Sequence, residues 1–134
     1  MELLLAAAAA PAAVATAAAQ AQVPSTSRIV HRQPLQGRFD GMDAAFVEVT
    51  IPAGQGSPLH RHSGFVLGYV LEGEFRFGIN GQTPRVLKAG EVFYEPAGAV
   101  HSSSASASPD RPARILAIIV GPAGEQVTTY ETAR

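Results

Sequence analysis

The sequence predicts an all-β domain, a sandwich or small barrel of short strands. Three observations predict it. From Arg28 to Arg134 short apolar alternations recur between Gly, Pro and Asn punctuation. Over the same span no stretch sets apolar residues at helical spacing for three turns. The chain is 134 residues long, which suits one core and is short for two.

The strands follow in order. Phe46 to Ile51 puts Val47, Val49 and Ile51 on one face and ends at Pro52-Ala53-Gly54. Phe65 to Leu71 is a continuous apolar run, as expected of a strand covered on both sides, and Glu72-Gly73 breaks it. Phe75, Phe77 and Ile79 then alternate with Arg76 and Gly78 up to Asn80-Gly81. That dipeptide predicts a hairpin turn, because both residues tolerate positive φ. Val86 to Leu87, Val92 to Tyr94 and Ile115 to Val120 continue the pattern. Ser102 to Ala113 is expected as a Ser/Ala/Pro loop, its low-complexity part Ser102 to Pro109 as a mobile surface connection.

Residues 1–21 form an Ala/Leu-rich run closing on Ala19-Gln20-Ala21, the small-x-small pattern that signal peptidase accepts. A secretory leader cleaved before Gln22 is expected, placing the mature domain in the periplasm or outside the cell. The run carries Glu2 where a leader ordinarily has Lys or Arg.

Composition removes several classes of function. Charged residues are only 16% of the chain and the net charge is −1, with no basic run, so a nucleic acid is not an expected partner. The absence of cysteine removes disulfides, thiolate zinc sites, iron–sulfur clusters and cysteine nucleophiles together. Chemistry must therefore come from histidine, carboxylates, hydroxyls or a metal.

Two spacings answer that requirement. The first is Gly54, five residues, His60-x-His62, then Gly73; the second is Gly90, five residues, Pro96-x-Gly98-x-x-His101. His60 and His62 lie two apart on an extended segment, so both imidazoles leave one face, as chelation from a strand requires. Gly98, after Pro96, can turn the chain and aim His101 at the pair.

These residues resemble the two motifs of the cupin superfamily, over roughly Phe46 to Val120. Chance agreement at all the fixed Gly, Pro and His positions is expected on the order of once in a million sequences or less. The resemblance implies a single-domain jelly-roll β-barrel, with His60, His62 and His101 turned inward on a divalent metal ion. The implied organisation is a signal peptide over 1–21, an N-terminal arm and first strands over 22–45, the barrel over 46–120 and a C-terminal tail over 121–134.

Two positions depart from the family pattern. Val66 stands where a glutamate ligand belongs and Ala105 where the second motif ends on Asn. Valine cannot coordinate a metal. Glu72 and Glu74 lie at the Gly73 turn, and Glu91 follows a turn glycine and should be solvated. Glu95, just before Pro96, is the least implausible substitute, but carboxylates at strand ends mostly face solvent, so no carboxylate ligand is assigned.

Three neutral imidazoles leave a divalent ion its full charge, which makes it a stronger Lewis acid than one sharing its site with a carboxylate. Three ligands with open positions suit catalysis better than structure. Some cupins similar to this one use iron and dioxygen to split small organic molecules. The ligand set accepts iron, zinc, copper, nickel or manganese without distinguishing them. By strand parity, Val66, Gly68 and Val70 should wall the pocket and Tyr69 should lie outside it. One of Phe93 and Tyr94 should face in. His31 lacks motif and spacing and is expected on the surface.

The resulting expectation is a metal-binding cupin acting on a small organic molecule, with dioxygenase-like chemistry and no assigned catalytic residue. The alternative is a non-catalytic module that holds a metal or small molecule. A homodimer is expected, because cupin-like barrels often pair through sheet faces and Phe65–Leu71 is apolar on both sides.

Overall fold

Alternation of side chains in and out of the core defines ten strands in the computed structural model, which describes residues 24–132. They are β1 (Thr26–Pro34), β2 (Met42–Ile51), β3 (His60–His62), β4 (Phe65–Glu72), β5 (Glu74–Ile79), β6 (Arg85–Lys88), β7 (Val92–Glu95), β8 (Val100–Ser106), β9 (Ala113–Pro122) and β10 (Thr128–Tyr130). The secretory leader falls outside the described residues.

The strands form two antiparallel five-stranded sheets, ordered β1-β2-β9-β4-β7 and β10-β3-β8-β5-β6. Both contribute to one core: Val47, Ile51, Val66, Val70, Phe93 and Ile119 from the first sheet meet Phe75, Phe77 and Leu87 from the second. The expected closed barrel is a two-sheet jelly roll instead. Among the described residues no ladder joins the edge strands β1 and β7 to β10 and β6, so each sheet keeps its own edges.

Asn80 and Gly81 adopt φ of 53° and 71°, and Gln82 N donates to Ile79 O at 3.0 Å, the turn that their sequence predicts. In β4, Val66, Gly68 and Val70 are buried while Leu67, Tyr69 and Leu71 are exposed, so only one face of this strand is covered within the chain. The expected double coverage is absent.

The Ser/Ala/Pro stretch is the larger correction. Ser102 to Ser106 lies in β8, inside the second sheet between β3 and β5. Ser104 and Ser106 are buried, and Ser106 Oγ donates to the Arg111 carbonyl at 2.7 Å. Small polar residues read as loop in sequence, but a strand flanked on both sides has its backbone satisfied by its neighbours. The small side chains also fit: a Cβ on Gly78 would lie 3.3 Å from that of Ser103.

The arm and the tail belong to the sheets as well. β1 pairs with β2, and β10 pairs with β3, setting Thr128 opposite His62 and Tyr130 opposite His60. Between β3 and β4 the chain leaves one sheet for the other at Gly64, where a Cβ would stand 1.8 Å from the Val120 carbonyl oxygen. Only glycine allows that crossing, which directs the histidine strand over the core.

Candidate metal centre

The non-local pairing of β3 with β8 assembles the site. His60 lies opposite His101 in that ladder, and His60 Nε2 is 3.1 Å from His101 Nδ1. With His62, the three rings place one ligand nitrogen each within 4.8 Å of one another. The structure thus brings together all three histidines singled out in the sequence.

Backbone carbonyls orient two of the rings. His60 Nδ1 is 2.8 Å from the Pro58 carbonyl, and His62 Nδ1 is 3.1 Å from that of Val127. A carbonyl can only accept, so each Nδ1 carries the hydrogen and each Nε2 keeps a lone pair for the cavity. Burial lowers the proton affinity of all three. His62 is pushed down to about 4 by burial and then by His60, and His101 to about 3 by burial and then by His60 and His62. His60 is lowered by burial against the opposing bond to Pro58. Neutral imidazoles at neutral pH are the form a metal requires, so the donor set fits a divalent transition ion.

A fourth group stands beside them. Glu95 is only 2% exposed and points inward from the end of β7, directly opposite Val66 of β4. Its Oε1 is 3.2 Å from His101 Nδ1 and its Oε2 is 3.8 Å from His62 Nε2. Oε2 has no hydrogen-bond partner among the described residues, and burial pushes the carboxyl up to about 7. The expectation that a strand-end carboxylate faces solvent fails here. Parity held the signal: Phe93 is the buried member of the Phe93/Tyr94 pair, and Glu95, two residues on, must share its face.

The cavity holds about 50 Å³, room for the centres of a few water molecules. Val47, Val49, Phe93, Ile115, Ala117 and Ile119 form its apolar side, and hydroxyls of Ser25, Thr26, Ser27, Ser57, Ser104, Thr128 and Tyr130 its rim. The expected wall of Val66, Gly68 and Val70 is not among its lining residues. All three are buried on the inner face, but the Phe93 ring fills the space over Gly68, where a Cβ would lie 2.0 Å from it. Val66 and Val70 are fully enclosed in the core. Tyr69 lies on the outer face and His31 is exposed on β1. The sequence reading also missed the contributions of β1 and β10 to the rim, which carry no motif.

A two-sheet jelly roll with inward histidines from two separated strands defines a class of small β-domains. The chain belongs to the cupin family, whose cupin-domain model matches residues 47–119, more than half of the sequence. Among solved structures, an uncharacterized double-stranded β-helix protein of Klebsiella pneumoniae is similar over 82% of this chain and 86% of its own, with a TM-score of 0.63 and 19% identity. The DMSP lyase DddQ of Ruegeria pomeroyi is 30% identical over 65% of this chain but only 42% of its own, with a TM-score of 0.57. A predicted oxalate decarboxylase of Thermotoga maritima is 28% identical over 59% of this chain and 79% of its own, with a TM-score of 0.50. No curated protein sequence matches the chain.

Proposed function

We propose that His60, His62 and His101 hold a divalent metal ion at which the protein acts on a small organic molecule. The observation that carries this reading is the convergence of three imidazoles, two buried and one half-buried, two of them fixed by backbone carbonyls with a lone pair turned inward. Such an ion supplies Lewis acidity and, if it is iron, redox chemistry with dioxygen. The residues themselves do the rest. The apolar side excludes water from the bound molecule, and the hydroxyl rim offers donors and acceptors to an oxygen-bearing substrate. Among the described residues no Lys or Arg lines the cavity, and the titratable groups that line it beyond the three histidines are Glu95 and Tyr130. So few proton-transfer groups suit dioxygenase-like chemistry better than reactions that need several placed acids and bases. The similarity to a lyase and a predicted decarboxylase supports action on a small molecule. The same scarcity of acid and base groups favours, as second reading, a non-catalytic module that only holds its ligand.

The test is metal content. Protein purified without added metal should carry about one divalent ion per chain, and His62→Ala well below that. Equal content in both would refute the assignment. Turnover lost on chelation and regained on reloading separates an enzyme from a binding module.

Two further features belong to the proposal. The outer face of β4 and β7 exposes Leu67, Tyr69, Val92 and Tyr94, with Val92 68% exposed, and a second copy of the chain covers it in a homodimer. Light scattering at micromolar concentration should give twice the chain mass; a monomer mass would contradict it. Export rests on the leader, with Gln22 as the mature amino terminus.

A further inference from the structure

A buried carboxylate needs a counter-charge, because an isolated ion away from water is costly. Glu95 has none of the ordinary kind. Its ion-pair partners among the described residues are His62 and His101 alone, and no Lys or Arg side chain among those residues pairs with it. One of its oxygens has no hydrogen-bond partner among the described residues. A side chain placed this way presents an unpartnered oxygen to a cation.

The distances say where that cation belongs. Atoms each about 2.0–2.2 Å from one ion stand about 2.8–3.6 Å apart at octahedral or tetrahedral angles. The His60 Nε2–His101 Nδ1 separation of 3.1 Å and the Glu95 Oε1–His101 Nδ1 separation of 3.2 Å fall within that range, and the other carboxylate oxygen, Oε2, is 3.8 Å from His62 Nε2, just beyond it. The carboxylate therefore stands beside the ligand nitrogens, at ligand spacing from His101 and close to it from His62. Its position also explains Val66. The two residues are direct cross-strand neighbours on the inner face, and such neighbours have Cβ atoms about 4.5–5.5 Å apart. A carboxylate moved from β4 to the same rung of β7 reaches the same space.

We propose that Glu95 is the fourth, anionic ligand of the metal ion, taking from β7 the place that Val66 leaves empty on β4. The proposal rests on the reading that the three histidines hold the ion. It replaces the bare three-histidine site expected from sequence with a three-histidine, one-carboxylate site, lowers the net charge at the ion by one and weakens its affinity for added anions.

The test uses the full chain stripped with chelator, and Co2+ as the probe. Glu95→Gln is nearly isosteric and keeps the fold; Glu95→Asp keeps the charge on a shorter arm. Wild type should bind one Co2+ per chain. Glu95→Gln should bind it at least tenfold more weakly, with a changed visible spectrum and a tighter azide complex, and Glu95→Asp should fall between. Unchanged affinity and spectrum in Glu95→Gln would overturn the proposal while leaving the histidine site standing. Weaker binding with an unchanged spectrum and unchanged azide affinity would overturn it too, since that marks a residue that only orients His101. Wild type that binds no Co2+, or His62→Ala that binds it as well as wild type, would instead bring down the underlying reading.

Discussion

Two residues apart on β7, Phe93 and Glu95 point into the same interior and meet opposite surroundings. The Phe93 ring packs against Phe75 and Phe77, with centroids 5.2 and 4.9 Å away, and fills the space over Gly68. Glu95 faces two neutral histidines and leaves an oxygen without a partner. One region is complete when the chain folds; the other lacks a charge that the chain does not supply. The strands are shared, so the fold's stability comes from the first region and is partly consumed by the second.

That contrast can be broken from the apolar side. Phe93→Ala removes a buried ring from a filled space and should cost about 3–5 kcal/mol in urea denaturation. Metal content should stay near one per chain, because no ligand changes. Loss of metal at unchanged stability would mean that the two regions are not separable in this way.

A somewhat smaller effect is expected from the site itself, in the chelated protein. Glu95 holds its proton up to about 7 in the fold, against 4.5 ordinarily. Between those values unfolding releases a proton, so the carboxyl's contribution to stability declines as pH rises from 4.5 through 7 and then levels off. A shift of that size corresponds to about 3 kcal/mol. Metal-free Glu95→Gln should therefore be more stable than metal-free wild type by about 3 kcal/mol at pH 8, with the gap closing towards pH 4.5. An equal gap at both pH values would show that charge burial is not what Glu95 costs.

The smallest effect sharpens the comparison rather than breaking it. Val66→Glu in the Glu95→Gln background returns a carboxylate to the rung by the other strand, and should recover about tenfold in Co2+ affinity, about 1.4 kcal/mol. Calorimetric titration reads it directly. No recovery would mean that the rungs at 66 and 95 do not address the same point.

Much of this was legible in the sequence. The strand alternations, the Asn80-Gly81 turn and the grouping of His60, His62 and His101 follow from local periodicity and spacing, which a single chain displays openly. The rest depended on pairing between distant strands. Ser102–Ser106 reads as loop because its residues are small and polar, and only β3 and β5 on either side make it a strand. Phe93 was indistinguishable from Tyr94 as the inward residue, and Glu95 inherited that ambiguity. The wall over the site comes from β2 and β9 rather than β4, because a ring on the neighbouring strand takes the room that Gly68 opens. Tyr130 reaches the rim through a three-residue edge strand that no motif announces.

The most direct test is an anomalous-difference map from crystals of the full chain loaded with zinc. A single strong peak should lie within about 2.0–2.2 Å of a nitrogen from each of His60, His62 and His101. A peak elsewhere, or no peak between these rings at full zinc loading, would contradict the assignment of the site.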